Sequence, residues 1–231
     1  MLHLLPRLTD LFFPPLCPRC LALSPAGAFC PAGLGELTPM TAGCVCCGVR
    51  LPPGPPLCRD CRVSVPPFDV AWGSYAYGGW LEEAIRRVKF GGQEAWGRFL
   101  GKLLAHALLS TGFGRGSALV LPVPLHWRRK WKRGFNQSEL LAREVARALG
   151  RPLETRGLFR LRPTAAQARL SRRDRLHQLT GAFVAWPEKV EGMRVLLVDD
   201  VMTTGATVAE ASRTLKDAGA RGVKVAVLAR A

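Results

Sequence analysis

The sequence has no apolar run that approaches the roughly 18 residues needed by a membrane-spanning helix. Its first residues, MLHLLPRLTDLFFPPLC, are apolar but are interrupted by Arg7, Asp10 and three prolines. Such a segment makes a poor signal peptide, because a signal peptide needs an unbroken apolar region. The sequence therefore predicts a cytoplasmic protein, in which thiols stay reduced.

Acidic residues are scarce. The 231 residues include 17 Asp and Glu against 33 Lys and Arg, which gives a net charge of +16 and a pI of about 10.4. A surface of this kind attracts nucleic acid, phosphorylated metabolites or acidic lipid. A general compositional preference for arginine is the alternative explanation. Hydrophobic residues make up 48% and charged residues 22%, which excludes wholesale disorder.

Two common phosphate-binding motifs are missing. The chain contains neither the Gly-Lys-Ser/Thr of a P-loop nor the GxGxxG of a dinucleotide-binding fold. From Phe68 onward, however, apolar strands alternate with amphipathic helices, which predicts an α/β fold with a mostly parallel sheet and helices on both faces. The pair Pro66 and Pro67 marks a boundary. We therefore expect a Cys-rich module over 1–66 and an α/β domain over 67–231.

The predicted elements of this domain follow from hydrophobic periodicity and from glycines beyond helix ends. Strands are expected within 69–77, 117–125, 152–162, 181–186, 194–200 and 223–230. Helices are expected within 78–90, 94–109, 138–149 and 206–219.

All eight cysteines lie in the first 66 residues, which are rich in Pro and Gly. Two CxxC pairs, Cys44/Cys47 and Cys58/Cys61, are separated by ten residues. Each pair places two thiolates on one side of a metal, and two pairs complete a tetrahedron, so the spacing predicts a structural zinc ribbon. A redox role is the weaker alternative, because a thioredoxin-type CxxC belongs in a βαβ unit.

An upstream set resembles an incomplete copy of this site. Cys17 and Cys20 form a CxxC pair, but Cys30 is followed three residues later by Gly33 instead of a cysteine. The set is therefore three-coordinate, metal-free, or completed by another ligand such as Cys46.

Two carboxylates end the most apolar strand. Asp199 and Asp200 follow Val195–Val198, and the small residues of a Thr-Thr-Gly-Ala-Thr loop then lead into a helix. Ligands of open α/β sheets bind at the carboxyl ends of strands. Backbone N–H groups at such a loop favour a phosphate, while ionised carboxylates favour hydroxyl groups or a hydrated cation. The combination predicts a ribose 5-phosphate ligand. The alternative is a pair of aspartates that binds nothing.

The stretch VLLVDDVMTTGAT, residues 195–207, resembles the signature of type I phosphoribosyltransferases. Together with the paired cysteines, DLFFPPLCPRC, IRRVKFGG, LPVPLHWRRKWKRGFNQSELLA and TAAQARLSRRDRL, it resembles the ComF family over nearly the whole chain. These are competence-associated, GntX-like proteins with a double zinc ribbon and a phosphoribosyltransferase domain.

The resemblance implies binding of phosphoribosyl pyrophosphate (PRPP). Asp199 and Asp200 would hold the ribose hydroxyls, directly or through waters of Mg²⁺, and would be the catalytic residues of an enzyme. The whole PRPP loop would comprise Asp199, Asp200, Val201, Met202, Thr203, Thr204, Gly205, Ala206 and Thr207. Residues 164–175 would form a flap that includes Gln167, Arg172 and Arg173. Gln178 stands where the family usually has Asn, and Gly33 replaces a cysteine.

A basic segment follows the strand at 117–125. Two tryptophans, Trp127 and Trp131, bracket its charges, and the candidate ligand-binding residues are Arg128, Arg129, Lys130, Trp131, Lys132 and Arg133. Cations here could neutralise a pyrophosphate, the leaving group of PRPP chemistry. The same composition suits single-stranded nucleic acid, because indoles stack on bases while cations follow the backbone. A solvated basic loop is the third interpretation.

Two functional hypotheses follow. The first is a PRPP-binding protein that handles incoming single-stranded DNA during natural transformation, as the resemblance implies. The second is an active phosphoribosyltransferase with an unidentified nitrogen acceptor. Structural zinc, Mg²⁺ with PRPP, and competence-machinery partners are the expected cofactors and partners. Insertion into a membrane is not expected.

Overall fold

The structure is a computed structural model that describes residues 17, 19–20, 22–23, 30–162 and 179–231. The chain divides into two compact units, residues 1–38 and 39–231. The four-cysteine set thus falls in the same compact unit as the sheet. The domain boundary expected between residues 66 and 67 concerns sequence modules and stays a prediction.

A four-stranded parallel sheet organises the larger unit. Its strands are β1 (Val70–Ala76), β2 (Leu119–Pro122), β5 (Arg194–Met202) and β6 (Gly222–Arg230), in the order β1-β6-β5-β2. A separate antiparallel pair consists of β3 (Leu158–Arg160) and β4 (Phe183–Ala185). The α/β fold with a mostly parallel sheet is therefore confirmed.

Helices cover both faces of the sheet. Their bounds are α1 (Pro31–Gly35) in the smaller unit, then α2 (Arg59–Val63), α3 (Gly79–Phe90), α4 (Glu94–Thr111), α5 (Trp127–Arg133), α6 (Gln137–Leu149), α7 (Pro187–Val190) and α8 (Ala206–Asp217). None of the helices in the described ranges has the length and hydrophobicity that crossing a bilayer requires.

The two central strands are buried on both sides, which is why they read as continuous apolar runs. Val195 and Leu197 of β5 belong to one core cluster with Leu215 of α8. Because alternate strand residues face opposite ways, Leu196 and Val198, both fully buried, face the other side. Helices α4 and α6 contact the sheet as well as each other.

The packing of α6 against α4 depends on glycine. A Cβ atom at Gly97 of α4 would lie 2.4 Å from Leu140 Cδ1 of α6, and one at Gly101 would lie 2.9 Å from Glu144 Cγ. Both helices can approach this closely only because glycine has no side chain. The contact fixes where α6 begins, and that beginning reaches the candidate site.

The sheet has a switch point between β2 and β5. Beyond β2 the chain passes through α6 to the outer edge, where Leu153 bridges to Val120. The connection after β5 runs the other way, through α8 to β6. Connections that leave neighbouring strands in opposite directions open a crevice at the carboxyl ends, which is where open α/β sheets bind ligands.

Candidate ligand-binding site

Asp199 and Asp200 lie beyond the carboxyl end of the neighbouring strand β2. The last residue of β2, Pro122, pairs with Val198, whereas β5 continues against β6 until Met202 pairs with Arg230. Asp199 and Asp200 therefore lie within an extended strand rather than just after it. They stand at the crevice because β2 ends first.

Three polar side chains hold the two carboxylates. Ser138 Oγ donates a hydrogen bond to Asp199 Oδ1 at 2.7 Å, and Gln137 Nε2 donates to Asp200 Oδ2 at 3.2 Å. Lys89 Nζ lies 2.9 Å from the same Asp200 oxygen. Lys89 is the second-last residue of α3, and the other two are the first residues of α6. Sequence reasoning assigned none of these roles.

The start of α6 is pinned to the sheet. Asn136 caps the helix, since its Oδ1 accepts from Ser138 N at 3.2 Å, while its Nδ2 donates to Val123 O at 3.0 Å. Because the Asn136 amide both caps the helix and binds the backbone that follows β2, Gln137 and Ser138 have little conformational freedom. Gln137 Oε1 is buried and has no hydrogen-bond partner among the described residues, although other atoms of Gln137 line the cleft.

The charges of the site are strongly coupled. Burial and the neighbouring Asp200 carboxylate raise the pKa of Asp199 to about 7, against the lowering effect of the Ser138 hydrogen bond. Burial lowers the pKa of Lys89, but the attraction of Asp200 outweighs it, and the net shift is upward. Lys89 therefore stays protonated at neutral pH, whereas Asp199 changes its protonation state near neutral pH.

The carboxylates open into a cleft of about 800 Å³. Cationic side chains dominate its polar lining, namely Lys89, Arg129, Lys132, Arg133 and Arg160. Two acids among five cations leave the cleft with a positive potential, which favours a polyanionic ligand. Arg160 comes from β3 and was not anticipated as a site residue.

The basic segment is helical, whereas a loop was expected. Helix α5 is capped at both ends: His126 Nδ1 accepts from Arg128 N at 3.3 Å, and Gly134 closes the helix with φ of 83°. His126 is 3% exposed, and its Nε2 lies 3.1 Å from Leu161 O just beyond β3. These caps fix seven residues that hydrophobic periodicity alone does not mark as a helix.

The helix divides its residues between two environments. Arg129, Lys132 and Arg133 line the cleft. Trp131 is 87% exposed and Trp127 is 63% exposed. Of the remaining candidate residues, Arg128 stacks over the Trp127 ring at 5.2 Å and Lys130 lies 3.7 Å from Glu139 Oε2.

The candidate PRPP loop also has two sides. Val201 and Thr207 line the cleft together with the aspartates. Met202, Thr204, Gly205 and Ala206 line a second cavity of about 390 Å³ behind the loop. Thr203 belongs to neither lining, although its carbonyl oxygen accepts a hydrogen bond from Arg230. Gly205, with φ of 79°, turns the chain into α8.

The four-cysteine set fits a zinc ion. The Sγ atoms of Cys44, Cys47, Cys58 and Cys61 all lie within 4.8 Å of one another. A tetrahedral site with Zn–S bonds of about 2.3 Å needs sulfur atoms about 3.8 Å apart. Burial raises the pKa of Cys44, but hydrogen bonds from the backbone N–H groups of Cys47 and Cys58 outweigh this effect and lower the pKa to about 6. Burial raises the pKa of Cys47 and Cys61, so without a metal Cys44 ionises first.

The three-cysteine set of the smaller unit has the same local geometry. Cys30 N lies 3.5 Å from Cys17 Sγ, as Cys58 N lies 3.4 Å from Cys44 Sγ. Cys30 also begins a short helix and accepts from Gly33 N, as Cys58 accepts from Cys61 N. Gly33 thus occupies the place of the fourth ligand.

The sulfur atoms of the three cysteines lie within 4.8 Å of one another, which makes this set a possible second zinc site. Its completion by Cys46 stays a prediction. The candidate flap residues Gln167, Arg172 and Arg173, and the variant position Gln178, lie outside the described residues.

Comparison with known proteins places this site in a class. Residues 136–231 match the phosphoribosyl transferase domain, and with the parallel sheet they define a phosphoribosyltransferase-domain protein. DNA utilization protein YhgH of Salmonella typhi is 36% identical over 221 residues, which cover 93% of this chain and 95% of that protein. The chain belongs to the ComF/YhgH family, whose members are competence-associated.

Two other proteins illustrate the range of similarity. Competence protein F of Haemophilus influenzae is 36% identical over 195 residues, which cover 81% of this chain and 84% of that one. Among solved structures, the glutamine PRPP amidotransferase of B. subtilis aligns with 28% identity and a TM-score of 0.40. That alignment covers 57% of this chain and 25% of the amidotransferase chain.

Proposed function

We propose that this protein binds PRPP with Mg²⁺ in the cleft and handles single-stranded DNA that enters the cell during natural transformation. The observation that carries the first part is the pair of anchored carboxylates at the carboxyl end of β5, inside a cleft lined by five cations. The names of the relatives, which refer to DNA utilization and competence, support the second part.

The distribution of charge in PRPP matches that of the cleft. Asp199 and Asp200, when ionised, accept hydrogen bonds from the two ribose hydroxyls or hold waters of Mg²⁺. The loop from residue 203 to 207 cradles the 5-phosphate with backbone N–H groups at the start of α8. Arg129, Lys132 and Arg133 neutralise the pyrophosphate. Mg²⁺ would supply additional neutralisation of the pyrophosphate charge.

A ligand-protection experiment tests the first part. Saturating Mg·PRPP should raise the thermal unfolding midpoint, because a ligand that binds only the folded state stabilises it. Ribose 5-phosphate lacks the pyrophosphate and should raise the midpoint less. Equal protection by both compounds would show that the cations of α5 do not contact the ligand.

The exposed face of α5 supports the second part. Trp131 and Trp127 offer two indole surfaces for stacking, and the net charge of +16 attracts the DNA backbone. Because Arg129, Lys132 and Arg133 turn into the cleft on the same helix, DNA and PRPP would meet at one short element. PRPP bound there would alter the charge that the DNA encounters.

Fluorescence anisotropy with labelled oligo-dT tests the second part. Trp131→Ala should weaken binding about five- to a hundredfold, because stacking on one base is worth about 1–3 kcal/mol. Trp186→Ala is the matched control, since Trp186 is 51% exposed but lies after β4, outside α5. Affinity should fall steeply with salt. Equal loss in the two variants, or binding indifferent to salt, would contradict the assignment to α5.

An active transferase is the second candidate, and the completeness of the carboxylate site favours it. A nitrogen nucleophile would form a bond to C1 of the ribose while the C1–O bond breaks and pyrophosphate departs with the electron pair; the nitrogen then loses a proton. The positive cleft would stabilise the leaving group. Release of pyrophosphate that requires an added nitrogen acceptor would establish this activity, and Asp200→Asn should abolish it.

The remaining expectations belong to the same proposal. We propose that zinc in the four-cysteine set is structural, that the protein acts in the cytoplasm, and that competence-machinery proteins are its partners. Chelation of zinc should lower the unfolding midpoint under either functional hypothesis, because structural zinc contributes directly to folding.

A further inference from the structure

Arg230, the last residue of β6, is buried behind the candidate PRPP loop. It is 7% exposed. Its Nη1 donates to Met202 O at 2.7 Å and also to Thr203 O. Its Nε lies 3.4 Å from Cys47 O, a longer contact to the backbone of the four-cysteine set. One guanidinium group therefore touches both the loop and the metal-binding set.

Arg230 lies outside the cleft that is proposed to bind PRPP. It lines the second cavity, which has Cys47 and Cys58 on one side and the loop on the other, and it does not line the cleft of the aspartates. Its side chain passes over Gly73 of β1, where an added Cβ would lie 2.6 Å from Arg230 Cβ. Glycine at that position leaves room for the base of the Arg230 side chain. Arg230 thus acts on the loop from behind.

The contacts orient the loop peptides. In a planar trans peptide the C=O and N–H groups point in opposite directions. Since the carbonyl groups of Met202 and Thr203 face Arg230, the N–H groups of Thr203 and Thr204 point away from it. N–H groups fixed in one direction before a ligand arrives bind an anion without the cost of reorganising the loop.

We propose that Arg230 is a positioning residue that couples zinc binding by the four-cysteine set to phosphate binding by the PRPP loop. The proposal rests on the proposed PRPP function. Zinc fixes the backbone around Cys47, Cys47 O supports the guanidinium, and the guanidinium holds the loop. The turn between Cys44 and Cys47 is also fixed to the sheet, because Ala71 N donates to Cys46 O at 2.8 Å.

Thermodynamic linkage makes the coupling measurable from either end. If zinc tightens PRPP binding by some factor, PRPP tightens zinc binding by the same factor. The experiment measures the zinc affinity of the full chain by equilibrium competition with a chromogenic chelator, with Mg²⁺ alone and with Mg·PRPP. Cys20→Ser identifies the signal of the four-cysteine set, because it removes a thiol of the other set only.

In the wild type, Mg·PRPP should tighten zinc binding by roughly 5- to 150-fold, the usual range of coupling between sites. Arg230→Met, which keeps an unbranched apolar side chain but not the hydrogen bonds, should lose this effect. Arg230→Lys should retain only part of it, because an ammonium cannot reach several carbonyl groups in a fixed fork. Arg147→Met, a change near the end of α6 where the side chain is 73% exposed, should behave as wild type and serves as the matched control.

The outcomes separate two failures. If wild-type protein binds Mg·PRPP by calorimetry but binds zinc with the same affinity with and without it, the coupling is wrong and the PRPP site stands. If wild-type protein binds no PRPP, the proposed function and this inference fall together. Should Arg230→Met not fold, the PRPP affinity of zinc-loaded and zinc-stripped wild type decides, and equal affinities would overturn the coupling.

Discussion

Ser138→Ala should move the pH range in which the protein binds PRPP. Ser138 Oγ donates to Asp199 Oδ1 at 2.7 Å, and this hydrogen bond favours the ionised carboxylate. The pKa of Asp199, already raised to about 7, should rise further when the donor is removed. Only the ionised carboxylate can accept hydrogen bonds from ribose hydroxyls through both oxygens.

The size of the effect follows from the geometry. A hydrogen bond to a charged group contributes about 1.5–3 kcal/mol, and one pKa unit corresponds to about 1.4 kcal/mol. Loss of the bond should therefore raise the pKa by about one to two units. The ionised fraction at pH 7 then falls from about one half to roughly 1–10%, which predicts binding about five- to fiftyfold weaker at that pH.

Titration calorimetry with Mg·PRPP across a series of pH values measures the shift. Affinity should rise with pH in both proteins, but the rise should occur at higher pH in Ser138→Ala, and the two curves should converge in alkaline buffer. Phosphate groups of the ligand titrate identically in both series. Ser110→Ala is the control, because that hydroxyl donates within α4. A uniform loss of affinity at all pH values would refute the reasoning.

Three further changes test other parts of the account. Gly33→Cys supplies the fourth thiol of the incomplete set and should raise the zinc content from one tightly held ion to two, measured by metal analysis after dialysis. An unchanged number of zinc ions per chain would contradict the predicted ligand position. Asp199→Asn should change how the free energy of unfolding depends on pH without ligand. A carboxyl whose folded pKa is raised to about 7 stabilises the fold below its unfolded pKa of about 4 and loses that contribution as pH rises through 7, so wild type should weaken between about pH 4 and 7.5 in denaturant titrations while the variant stays flat. Parallel curves would disprove the shift. Gly97→Ala should lower the free energy of unfolding by about 1–3 kcal/mol, because its Cβ would overlap Leu140. Denaturant titration beside Gly134→Ala, where an added Cβ meets nothing within 4 Å but φ is positive, separates steric overlap from backbone strain. An unchanged midpoint in Gly97→Ala would contradict the packing.

Local sequence patterns predicted much of the fold. The strands β5 and β6 were evident as apolar runs because they are covered on both faces. The end of α4 was marked by Gly112, which adopts φ of 67° beyond the last helical residue. The spacing of the paired cysteines predicted the four-sulfur set, because CxxC turns carry their geometry within four residues.

The parts that failed depend on contacts distant in sequence. The extension of β5 beyond the aspartates to Met202 is fixed by pairing with β6, which no local pattern of residues 201–202 reveals. Lys89 lies 2.9 Å from Asp200 although more than a hundred residues separate them. A lysine near the end of an amphipathic helix is ordinarily a surface residue, so periodicity gave no sign of its role.

The start of α6, by contrast, did carry a recognisable signal in the sequence. Asn136 followed by a polar Gln-Ser pair before an amphipathic helix is the pattern of a helix start. Treating those residues as a cap at the carboxyl end of β2 would have pointed them at the crevice. Arg230 offered no comparable signal, because its partners are backbone carbonyl groups that a sequence does not display.

The most direct test of the central claim is titration calorimetry of Mg·PRPP into zinc-loaded wild type and into the double variant Asp199→Asn/Asp200→Asn. Removal of both charges leaves Lys89 without its anionic partner, whereas the amide oxygens can still accept from Ser138 and Gln137, and the side chains keep their size. Binding by the wild type that is lost in the double variant is the predicted result. A wild type that is folded and zinc-loaded yet takes up no heat of binding would contradict the assignment of this cleft to PRPP.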